Sequence, residues 1–187
     1  MKHVLYALLT AVSILFTSCG PSSNTNNPQV PNVPQPQPQP EVTQKVVIGY
    51  LALDDWEFEN LFPTIEWKYL THINASFARV KADGTLNIEP VRKRIESVRE
   101  TAHKHNVKIL ISLAKNSPGE FTTAINDPKA RKELIQQIIA FTKEYKLDGF
   151  DIDYEEYDNW DKNFPSLLVF ARGLYLAKEK NMLMTCA

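Results

Sequence analysis

Three carboxylates stand at alternate positions, Asp151, Asp153 and Glu155, in the run Leu147-Asp148-Gly149-Phe150-Asp151-Ile152-Asp153-Tyr154-Glu155-Glu156-Tyr157. Phe150, Ile152 and Tyr154 interleave them. Side chains on a strand alternate with a period of two, so the acids share one face and the apolar residues the other. Same-face neighbours lie only about 7 Å apart along a strand. Crowding like charges at that spacing makes full ionisation costly, and a carboxyl that keeps its proton near neutral pH can serve as a general acid. Two other readings fit less well. A calcium loop counted from Asp151 wants glycine at the sixth position and glutamate at the twelfth, where this chain has Glu156 and Lys162. A solvated acidic edge strand leaves Phe150, Ile152 and Tyr154 without the buried face they need.

The elements that must position this row come from a chain of 187 residues, 43% hydrophobic and 23% charged, the balance of a protein that buries a core. A net charge of −1 supplies no basic excess to grip a phosphate backbone, so nucleic acid is not an expected partner. Two cysteines, Cys19 and Cys186, cannot build a disulfide framework. The phosphate-binding loop, the dinucleotide fingerprint and paired Cys-x-x-Cys zinc patterns are all missing from the sequence.

Residues 1–44 are unlike globular protein. A positive start at Met1-Lys2-His3 and an apolar run from Val4 to Phe16, short for a permanent membrane span, read as a signal peptide over 1–18. Its end, Phe16-Thr17-Ser18-Cys19, resembles the lipobox of bacterial lipoproteins. That implies cleavage before Cys19, lipid on the cysteine, and a place in the bacterial cell envelope, on the outer membrane or cell surface. Residues 19–44 are Pro, Gln, Asn, Ser and Thr with few apolar side chains, a linker. The alternating Pro34 to Pro40 segment favours polyproline II at about 3.1 Å per residue, a semi-rigid spacer.

From residue 45 onward strand and helix alternate. Lys45 to Leu53, Tyr69 to Val80, Val107 to Leu113 and Leu147 to Glu155 read as strands, and Met182 to Ala187 begins a fifth. Glu57 to Lys68 can hold only a short helix or irregular turn, and Asp83-Gly84 marks a turn. Helices are expected from Pro90 to about His105, with a charged face read as solvated, from Asp127-Pro128 along Leu134, Ile138, Phe141 and Tyr145, and from about Pro165 to Lys180. Successive βαβ crossovers and a parallel sheet follow, either doubly wound or a (β/α)₈ barrel.

Asp148-Gly149-Phe150-Asp151-Ile152-Asp153-Tyr154-Glu155 resembles the Asp-Gly-x-Asp-x-Asp-x-Glu signature of glycoside hydrolase family 18, which includes chitinases and endo-β-N-acetylglucosaminidases. Val47-Ile48-Gly49-Tyr50 is similar to that family's first strand and Leu70 to Ala78 to its second, so the resemblance covers residues 45–187 and implies the (β/α)₈ TIM barrel. The third strand departs from it. Ser112-Leu113-Ala114-Lys115 stands where the family has Ser-x-Gly-Gly, so Ala114 and Lys115 narrow or re-charge the cleft.

The resemblance implies substrate-assisted hydrolysis with retention, a known exception to the two-carboxylate scheme. Glu155 would protonate the leaving glycosidic oxygen. Asp153 would hold the substrate's acetamido N–H, and Asp151 would sit behind it, sharing a proton. Ser112 is a hydrogen-bonding neighbour for Asp151 and, with Tyr50, Phe77, Trp56 and Trp160, a candidate to line the substrate site. The partner implied is an N-acetylglucosamine-containing glycan, and no metal or organic cofactor is required. A catalytically silent, surface glycan-binding member is the alternative. A complete barrel takes about 250 residues, so the chain is expected to be the first five strands of a longer protein, with Cys186 a buried strand thiol in the whole barrel.

Overall fold

The computed structural model describes residues 45–187, so the signal peptide, Cys19 and the linker lie outside the described residues. Six strands and six α-helices follow one another: β1 (Ile48–Ala52), α1 (Phe58–Leu61), β2 (His72–Val80), β3 (Leu86–Asn87), α2 (Glu89–Arg92), α3 (Ile95–Lys104), β4 (Lys108–Lys115), α4 (Glu120–Asn126), α5 (Pro128–Glu144), β5 (Gly149–Ile152), α6 (Trp160–Ala177) and β6 (Leu183–Cys186). Short 3₁₀ turns at Phe62–Thr64 and Trp67–Tyr69 join α1 to β2.

Strand order settles the choice between the two parallel architectures. The path β1-β2-β4-β5-β6 is parallel throughout, and each crossover adds its strand on the same side of the one before. A doubly wound sheet reverses direction at a switch point, whereas a barrel never does. The described residues therefore form the arc of a (β/α)₈ barrel, with β3 pairing antiparallel to the end of β2 after the turn at Gly84. That turn needs glycine twice over. Its φ is +84°, and a Cβ there would lie 2.1 Å from the Ala130 carbonyl oxygen.

Alternation along the strands sorts side chains into two layers. Ile73, Ala75, Ile109, Ile111, Leu113, Phe150 and Ile152 join the core beneath the helices. Asn74, Ser76, Ser112 and Asp151, of opposite parity, form a buried polar layer on the other face. The helices contribute Ile95, Val98 and Ala102 from α3, Leu134, Ile138 and Phe141 from α5, and Phe170 and Leu174 from α6. Those recurrences at three and four residues are the stripe that a helix lays against a sheet.

Several boundaries differ from expectation. The first strand starts at Ile48, and the second starts at His72 because Trp67–Tyr69 close a 3₁₀ turn that buries Trp67 in a stack on His105. Lys93-Arg94 divides the helix expected from Pro90 to His105. The Arg94 guanidinium turns back to the carbonyls of Leu53 (2.5 Å) and Asp55 (3.0 Å) and lies 4.3 Å over the Phe58 ring, so this charge is not solvated. α4 was not expected at all. α6 starts at Trp160 and runs through Pro165, because tilted packing of Trp160 on Phe164 at 5.1 Å and contacts with Tyr154 and Tyr157 at 6.3 Å hold its first turns. β5 stops at Ile152, three residues short of Glu155, although Asp153 still donates its N–H to the Leu113 carbonyl. Cys186 lies on β6, one of the two edge strands of this path among the described residues, and is exposed.

Candidate active site

Asp148 sets the register on which the site depends. Its carboxylate accepts the Ile109 N–H (2.9 Å) and contacts His103 Nε2 (2.8 Å), tying the entry of β5 to β4 and α3. The next residue must be glycine, because a Cβ on Gly149 would lie 2.1 Å from the Leu183 carbonyl oxygen of β6. With β5 so placed, Asp151 is flanked by Ser112 on β4 and Thr185 on β6.

Both flanking hydroxyls donate to Asp151, Ser112 to Oδ2 (2.7 Å) and Thr185 to Oδ1 (2.5 Å), and Tyr50 donates its phenol to Oδ2 from β1 (2.8 Å). Asp151 is 1% exposed, so these three donors replace the water it loses. Burial and the Asp151 carboxylate together push the Tyr50 phenol well above the usual tyrosine range, which keeps it a donor. Asp151 is not hydrogen-bonded to Asp153. Its charge nonetheless acts on Asp153, raising the pKa of that carboxyl.

Asp153 takes the strain of the row. It is 9% exposed, its carboxylate has no hydrogen-bond donor among the described residues, and its pKa is raised, first by burial and then by the charges of Glu155 and Asp151. Lys115 and Arg79 oppose that rise without cancelling it. Burial first, and the neighbouring charges second, therefore make Asp153 costlier to ionise than an ordinary aspartate. Glu155 lies beyond the strand at the carboxyl end of β5, with its carboxylate open to solvent and 4.0 Å from Lys115 Nζ. An open cleft of about 490 Å³ adjoins it, lined by Lys115, Gly119, Thr122, Glu155, Glu156 and Asn159 among others.

The structure gathers only some of the sequence candidates. Tyr50 and Phe77 have ring centroids 6.4 Å apart, and the Arg79 guanidinium lies 5.0 Å from the Phe77 ring. Tyr50 is at once a partner of Asp151 and, with half its surface exposed, an open ring beside it. Ser112 is fully buried, which restricts it to holding Asp151 and removes it from contact with substrate. Trp160 belongs to the aromatic cluster over α6, and Trp56 is 83% exposed in the turn after β1. Thr185, Arg79, Lys115 as a neighbour of Glu155, and Glu156 were not found as site residues from the sequence. Register alone reveals Thr185, the departure from Ser-x-Gly-Gly placed Lys115 at the cleft without naming its partner, and no local pattern announces Arg79 or Glu156.

Residues 46–187 match the family described as Glycosyl hydrolases family 18. A chitinase from Bacteroides thetaiotaomicron superimposes at a TM-score of 0.75 with 98% identity, over 76% of this chain and 46% of that one. A chitinase from Cycas revoluta, solved in complex with (GlcNAc)₃, superimposes at 0.65 with 22% identity over 74% of this chain and 44% of its own, a likeness of fold. Chitinase B of Serratia marcescens is 27% identical over 144 residues, 60% of this chain and 28% of that protein. The chain thus spans less than half the length of each of these relatives.

Proposed function

The chain belongs to family 18 of the glycosyl hydrolases, and from that premise we propose that it carries the acid half of a retaining glycosidase acting on β-1,4-linked, N-acetylglucosamine-containing glycans. Glu155 protonates the glycosidic oxygen as the bond to the anomeric carbon breaks. The substrate's own acetamido oxygen forms the new bond to that carbon, giving an oxazolinium ion. Water then opens the ion from the face the leaving group vacated, handing its proton to Glu155, and the configuration is retained. Asp153 accepts the acetamido N–H and offsets the positive charge of the ring, while Asp151, fixed by three hydroxyls, holds Asp153 under a constant negative field. No step needs a metal or organic cofactor.

The observation that carries this reading is Asp153, a buried carboxylate with no hydrogen-bond donor of its own, set between an immobilised Asp151 and an open Glu155. A carboxylate left without a donor in the protein is ready to receive one from a ligand. The oligosaccharide bound to the Cycas chitinase is the class of ligand expected here. We further propose that the mature protein is held at the bacterial cell envelope by lipid on Cys19.

Glu155→Gln in the full-length protein tests the assignment. The amide keeps shape but has no proton to give, so release of reducing ends from chitooligosaccharide should fall by about 10²–10⁴-fold while the oligosaccharide is still retained. Wild-type protein that binds the glycan without cutting it would instead mark a silent glycan-binding member.

A further inference from the structure

Glu156, the residue after the acid, is 8% exposed although it lies in a loop at the mouth of the cleft. Its Oε1 accepts the N–H of Gly119 (2.5 Å), and its Oε2 accepts both the N–H and the hydroxyl of Thr122 (2.6 Å each). Gly119 and Thr122 are the start of α4, whose amide groups have no side-chain cap within their own segment. Thr122 gives its one hydroxyl proton to Glu156, so the Tyr154 phenol, 2.5 Å away, must donate to the Thr122 oxygen. The chain on both sides of Glu155 is thereby tied to α4. From β4, Lys115 donates Nζ to the backbone carbonyl of Glu155 itself (2.8 Å).

We propose that Glu156 and Lys115 are positioning residues that hold Glu155 in line with the leaving oxygen, one through the start of α4 and the other through the carbonyl of the acid. β5 has ended at Ile152, so no strand ladder fixes Glu155. A general acid gains its rate factor only when its proton is held within hydrogen-bonding reach of the leaving atom. Side-chain ties on both flanks take over the work of the missing ladder. Lys115 occupies a place where the family signature has glycine, and its contact gives that departure a structural purpose.

This inference rests on Glu155 as the acid, and leaving-group dependence separates the two ideas. The rates of Glu156→Ala, Lys115→Met and Thr122→Val in the full-length protein are compared on chitotetraose and on a 4-nitrophenyl chitobioside, whose nitrophenolate departs with little help from an acid. A defect in positioning should lower kcat on chitotetraose by about tenfold or more for Glu156→Ala and less for the other two, with KM within about threefold, and should largely disappear on the aryl glycoside. The ratio of the two rates does not depend on how much of a variant folds, so partial misfolding cannot imitate the result. Equal losses on both substrates, or no loss on chitotetraose, would overturn the positioning role. If Glu155→Gln itself cuts chitotetraose normally, the assignment of the acid fails instead.

Discussion

Asp151 on β5 and Asp153 just past its end are two residues apart and live in opposite electrostatic conditions. Three hydroxyls surround Asp151, while Asp153 is buried beside two carboxylates with no donor to compensate it among the described residues. The alternation of acids and apolar residues made the shared face legible, and the family resemblance pointed to Ser112, but Thr185 becomes a partner of Asp151 only through strand register, which a linear pattern does not contain. Removing one donor should be felt. Ser112→Ala leaves a buried carboxylate short of a hydrogen bond and should lower stability by about 1.5–3 kcal/mol in denaturant titration. Asp153→Asn should do the reverse, with a definite pH dependence. Since the native pKa of Asp153 is raised, the unfolded chain loses this proton first as pH climbs past about 3.9, and the native state loses stability from there through its own higher pKa. The asparagine variant should therefore melt higher than wild type at neutral pH and nearly the same below pH 3, even as its turnover collapses. An equal gain at both pH values would count against the crowding of this carboxylate.

Long elements with a clear period, such as α5 with Leu134, Ile138 and Phe141, were readable because one stripe of the helix must be apolar wherever it packs. α4 was not, since its seven residues give only one repeat of Phe121, Ala124 and Ile125, and its capping carboxylate, Glu156, comes from 34 or more residues away. The proline rule misplaced the start of α6, where aromatic packing around Trp160 outweighs the hydrogen bond that Pro165 cannot make. Where local chemistry did decide, it can be measured. Asp127 accepts the Ala130 N–H at 2.6 Å as the cap of α5, so Asp127→Ala should reduce stability by about 1 kcal/mol. Gly84→Ala must both adopt a positive φ and push against the Ala130 carbonyl, so it should be the more damaging of the two. The opposite ranking in thermal melts would contradict the close approach of this turn to α5.

At the scale of the molecule, a sheet whose strands add always on one side brings Asp151 on β5, and Asp153 and Glu155 just beyond its end, to the mouth of the arc, where Glu155 borders an open cleft. Asp151 is held on both flanks by β4 and β6, and Glu155 projects at the carboxyl end, where barrel enzymes keep their chemistry. The choice of barrel over doubly wound sheet could not be made from alternation alone, since both are built from the same βαβ unit; it came from resemblance and then from strand order. The proposed placement at the cell envelope rests on residues 1–44 and has its own test. Mature protein should partition with detergent-soluble membrane material, and Cys19→Ser should release or mis-process it. Catalysis is tested most directly by taking away the nucleophile that the substrate is held to supply. Chitotetraose and its fully de-acetylated counterpart, offered at equal concentration to the full-length protein, differ at the reacting ring only in the acetamido group. The acetylated tetramer should be hydrolysed and the de-acetylated one should resist by orders of magnitude. Cleavage of both at similar rates would mean that the bond is broken without the substrate's help, and the roles given to Asp153 and Glu155 would have to be withdrawn.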